Sequence, residues 1–153
     1  MKVTTFNATD HPKIEDIEKV LTDKLGDTYK YKTNKKATSL VGKMAGGSKR
    51  DSVTVIKNAY HRTVVSVETF NDHTSESGKR TNIYFSEDTL AGWLAFLNKE
   101  AGFLGRIIIR LIYGNGGGFY QEVEQVVKTN INGKDETVEV GLSTLFKKKK
   151  NQQ

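Results

Sequence analysis

The chain reads as an α+β domain with an N-terminal helix, an antiparallel β-meander of four to five strands, and a helical C-terminal third packed on the sheet. Three observations predict this. Apolar residues recur at helical spacing near the N-terminus, and segments rich in Val and Thr fill the middle of the chain. The helical period then returns after Ser86.

Each element follows from its residues. Residues 1–9 are a short polar lead that suits a strand. Asp10 is the expected N-cap of the first helix, with Pro12 in its first turn, where a missing N–H costs nothing. Ile14, Ile17, Val20, Leu21 and Leu25 then share one face, and Gly26 offers the stop. From Tyr29 the pattern changes. "YKYKT" alternates aromatic residues with Lys, as a half-exposed strand does, and its Lys face would protect a sheet edge. "TSLVGKM" is a second strand candidate, broken by Gly42. "SVTVIKNAY" and "TVVSVETF" are the clearest strands, linked near His61. "NDHTSESGK" is a run of turn residues, and "TNIYF" closes the meander. Ser86 is the expected cap of a helix whose stripe is Leu90, Trp93, Leu94 and Leu97, with a break at Gly102. "FLGRIIIRLIY" carries three consecutive isoleucines, which favour a strand. Yet Phe103, Leu104, Ile107, Ile108, Leu111 and Ile112 recur at helical spacing without alternation, so a helix is expected. Phe119, Val123, Val126 and Val127 mark a last helix, ended near "NING", and "ETVEVGL" is a short final strand.

At 153 residues, with 36% hydrophobic and 27% charged content, the chain fits one globular domain over 1–145. Residues 146–153 are expected to form a disordered basic tail. The chain contains no Cys, which excludes disulfide and thiolate chemistry. No apolar run approaches the roughly 18 residues of a spanning helix, and "MKVTTFNATDHPKIED" lacks the apolar core of a signal peptide. The expected location is therefore cytoplasmic, with the periphery of a membrane as the variant. The net charge is +6, and Lys147, Lys148, Lys149 and Lys150 supply four of the 24 basic residues. Without them, 20 basic residues face 18 acidic ones, so the body is nearly neutral. Such a tail is a solvated end or a weak contact for anionic membrane or nucleic acid.

Few motifs carry chemistry. In "LIYGNGGGFYQEV", Gly114 and Gly116 fit a dinucleotide fingerprint, but its third glycine position is Phe119, and no Gly-Lys-Ser/Thr follows for a Walker loop. What remains is a joint between two helices, with Gly116, Gly117 and Gly118 as an unspecific anion nest. "AGGSKR" adds Lys49 and Arg50 as a second anion-binding candidate, against the plainer reading of a hairpin turn. His11, His61 and His73 lack the spacing of a metal pair, and neither a metal nor a cofactor is expected. A small hydrolase or ligand-binding enzyme would have to use the His61/His73 region, close to Glu68 and Asp72. In "YKYKTNKK", Tyr and Lys face opposite sides of a regular strand, which argues against one nucleic-acid surface.

The richest stretch is 90–113. Trp93, Phe96, Phe103 and the isoleucines exceed what one helix needs against one sheet, and Arg106 and Arg110 lie among them. Either this helix covers the sheet, with the arginine heads in water, or its apolar face meets a protein partner, a second copy of the chain or a membrane surface. The favoured function is a non-enzymatic binding or assembly module that uses Trp93, Phe96, Phe103, Arg106 and Arg110.

Overall fold

The structure, a computed structural model, describes residues 2–36, 50–75, 77–87, 102–114 and 118–139. Among these, six strands form one antiparallel sheet: β1 Lys2–Ala8, β2 Lys30–Asn34, β3 Asp51–Ile56, β4 Arg62–Asn71, β5 Lys79–Glu87 and β6 Gly133–Glu139. The sheet order is β2-β3-β4-β5-β1-β6. Strands β2 to β5 are the expected meander. The polar N-terminal lead becomes β1, inserted between β5 and the late strand β6, and this brings the strand total slightly above the expected number.

Among the described residues three helices accompany the sheet: α1 Ile14–Leu25, α2 Gly102–Tyr113 and α3 Phe119–Asn130, and a short 3-10 turn follows α1 at Gly26–Thr28. Strand alternation sends one set of side chains toward α1 and α3. Val53 pairs with Val65, and Val65 with Phe85, while Val67 pairs with Ile83, and Ile83 with Phe6. Onto these rows α1 sets Ile14, Ile17 and Leu21, and α3 sets Phe119, Val123 and Val127, all fully or nearly buried. Each such side chain stabilises the fold by roughly 1.5–3 kcal/mol relative to exposure, so these two helices hold the core.

Strand β2 is an edge of the described sheet, with Lys30 and Lys32 exposed, as its alternation predicts. Tyr31 turns the other way and donates its hydroxyl to the Gly26 carbonyl at 2.8 Å. The tyrosine and lysines of this strand therefore do not share one face.

Some boundaries differ from expectation. Helix α1 is capped at Lys13, whose N–H donates to the Asp16 carboxylate at 2.8 Å. Asp16, three residues on, thus closes one bond back onto the helix start, which lies past Pro12; the Lys13 side chain, having no acceptor, supplies none in return. Asp10 instead accepts from the Asn132 amide at 2.7 Å. Ser86 is no helix cap: it lies in β5, paired with Val64 of β4. The final strand starts at Gly133, earlier than "ETVEVGL" suggests, because pairing with β1 extends it to Ala8. The candidate strand "TSLVGKM" and the helix with Leu90, Trp93, Leu94 and Leu97 lie outside the described residues.

Candidate functional site

Helix α2 spans the expected stretch but presents most of it outward. It has no acidic residue, and its charged residues are Arg106 and Arg110. At about 100° per residue, Phe103, Ile107, Leu111, Leu104, Ile108 and Ile112 follow one another around an arc of about 180°. All six are exposed, Phe103 at 78% and Leu111 at 81%. The inward strip is narrow. Gly105 and Ile109 are buried, Ile109 at 3%, and Tyr113 is half-buried. These three residues sit four apart and form one line down the helix. Of the described residues of α2 only this strip is buried or half-buried, while α1 and α3 cover the sheet's inner face.

The C-terminal end of the strip is held by an aromatic contact. The Tyr113 ring stacks on Tyr60, with centroids 6.2 Å apart and planes 15° from parallel. Tyr60 is presented by a turn between β3 and β4 in which the Asn58 side-chain oxygen accepts from the N–H groups of Tyr60, at 2.9 Å, and His61, at 2.7 Å. His61 packs edge-on against Tyr60. The Asn58 amide nitrogen, necessarily a donor, lies 3.1 Å from His61 Nδ1, so that ring nitrogen accepts and the imidazole is held neutral. Burial, and then the charge of Lys57, lower the His61 pKa below 6.5, while Glu87 pulls the other way.

Helix α2 is bracketed by glycines with left-handed backbone, Gly102 at φ 51° and Gly114 at φ 72°. Gly114 donates its N–H to the Arg110 carbonyl at 2.9 Å, a helix stop that a Cβ would strain. Gly118, at φ 79°, caps α3. Both described ends of the glycine run thus carry left-handed backbone. Gly116 and Gly117 lie outside the described residues. The first turn of α3 already holds a carboxylate, Glu122, which accepts from the Tyr29 hydroxyl at 3.2 Å.

The other candidate residues fall in separate places. Trp93, Phe96 and Lys49 lie outside the described residues, as does the side chain of Arg106, whereas Phe103 and Arg110 are exposed on α2. Arg50 stands at the opening of β3, its Nε 2.7 Å from Glu68 and its guanidinium 4.1 Å over the Tyr84 ring. It lines a cleft of about 500 Å³ with Lys13, Lys35, Lys36 and Lys79, where Lys35 pairs with Glu15. His61 and His73 lie beyond opposite ends of the ten-residue strand β4, roughly 33 Å at strand rise, and cannot act on one substrate together. Asp72 is occupied as a turn residue, accepting from the Thr74 hydroxyl at 2.6 Å and its N–H at 2.9 Å. Those bonds, the hydroxyl's first, hold its carboxyl below the usual range. His11 is the residue that sequence reading passed over. At φ 47° it bridges Ser77 and Thr81, each at 3.0 Å. The Ser77 hydroxyl also reaches the Lys79 carbonyl at 2.8 Å, so the group works as a latch across the β4–β5 turn. No group of His, Asp and Glu among the described residues converges as a metal site would require.

Comparison with family models, with curated proteins and with solved structures finds no match for this chain.

Proposed function

We propose that this protein is a non-enzymatic binding module in which the sheet, α1 and α3 form the scaffold and the outward arc of α2 is the contact surface. One observation carries the reading. Six large apolar side chains stand in water on a single helix face, and none of them belongs to the buried core cluster. Contiguous apolar patches of this kind on an otherwise polar domain mark contact surfaces. Covering them recovers up to roughly 1.5–3 kcal/mol per side chain, before the costs of association.

A variant carrying Leu104→Glu, Ile108→Glu and Leu111→Glu tests this. The parent should bind the apolar dye bis-ANS, and the variant should not. The variant should melt within about 5 °C of the parent, because three surface changes at under about 0.5 kcal/mol each cost at most about 1.5 kcal/mol. A collapse in melting temperature would mean the arc is part of the core, and the proposal would fall.

A further inference from the structure

We infer that the outward arc of α2 rests on the surface of an anionic lipid bilayer, with the helix lying in the plane of the interface. This rests on the reading of α2 as the contact surface, and it names the occupant.

The shape of the arc argues first. A partner helix covers a stripe little more than about 100° wide, and would leave the margins of a 180° arc in water. A flat apolar slab covers half a cylinder at once. Length excludes the alternative of spanning. Twelve residues give a helix about 18 Å long, against about 30 Å of hydrocarbon. Among the described residues no helix is long and apolar enough to cross a membrane.

Charge argues next. Both charged residues of α2 are arginines, and Arg110 is exposed at the edge of the arc, next to Phe103. A second copy packed helix on helix would bring arginines and no carboxylate from its own α2. Anionic headgroups supply the missing complement, and a cationic flank beside an apolar face is the pattern of an interfacial helix. The lysine run 147–150, which supplies four of the chain's net +6, adds charge of the same sign.

Flotation with vesicles of phosphatidylcholine alone, and with 30% phosphatidylglycerol added (about the anionic fraction that gives a strong surface potential), tests the assignment on the intact chain. Sedimentation of the lipid-free protein runs alongside. Binding should favour the anionic vesicles about tenfold or more and weaken with salt. Arg110→Gln should lower it several-fold, and the Leu104/Ile108/Leu111→Glu variant should abolish it. Failure to bind either vesicle, with bis-ANS binding intact, would overturn the lipid occupant and leave the contact surface standing. Concentration-dependent dimers lost in the glutamate variant, again without vesicle binding, would identify a second copy as the occupant and overturn the inference. Vesicle binding untouched by the glutamates would overturn the use of α2 altogether.

Discussion

At Gly133 a single methyl group decides whether two strands can pair. A Cβ there would stand 2.4 Å from the Asn7 carbonyl oxygen and 2.7 Å from the Phe6 ring. The ring can turn aside, but the carbonyl belongs to β1, whose register with β6 sets Ala8 opposite Gly133. Gly133→Ala should therefore destabilise by about 1–3 kcal/mol, read by chemical denaturation; a neutral result would show that the two strands separate more easily than their pairing suggests. His61 makes a second prediction. Its folded pKa lies below the unfolded value of about 6.5, so the unfolded chain binds the proton more readily. The stability that depends on neutral His61 is complete above about pH 6.5 and is lost as pH falls from there through the folded value. Between pH 8 and pH 5 the parent should lose more stability than His61→Gln; equal losses would place the pH dependence elsewhere. Neither role was readable from residue type. "NING" announces a turn, but only the pairing of β1 with β6 makes Gly133 obligatory, and a lone His between two strands says nothing about Asn58.

Elements whose period is strong were legible, and their environments were not. The apolar stripe of α1 and the Val-rich alternation of β3 and β4 specify type and inner face together, since each buries one side. Helix α2 was legible as a helix because six apolar residues recur without alternation, although three isoleucines favour a strand. Its placement was not legible. A stripe of Phe, Leu and Ile satisfies a core and an exposed contact surface equally well. What separates them is which side chains the rest of the chain covers, and on α2 the six apolar residues of the arc are exposed. A quieter signal was present in Gly105, Ile109 and Tyr113, where one small, one branched and one aromatic residue at intervals of four trace the narrow inward strip. The ends of the glycine run were better marked, since Gly114 and Gly118 both adopt the positive φ that glycine alone takes freely.

Across the whole molecule, the proposed function divides the chain into a scaffold and a contact surface on α2. β1 pairs with β5 on one side and β6 on the other, so the start of the chain and the strand after α3 close the sheet together. Sequence spacing concealed this, because Lys2–Ala8 is a polar lead whose partner strands begin only at Lys79 and Gly133. The scaffold leaves α2 outside its core, and the account stands on what covers that helix. The chain has no Cys, so a nitroxide can be attached uniquely through Leu111→Cys, with Lys19→Cys on the exposed side of α1 as the reference. The free protein should expose both labels to a water-soluble nickel relaxant. On adding phosphatidylcholine/phosphatidylglycerol vesicles, the label at 111 should become inaccessible to nickel and accessible to oxygen, which concentrates in the bilayer, while the label at 19 stays in water. A label at 111 that remains in water beside vesicles, or is already shielded in the free protein, would contradict the account.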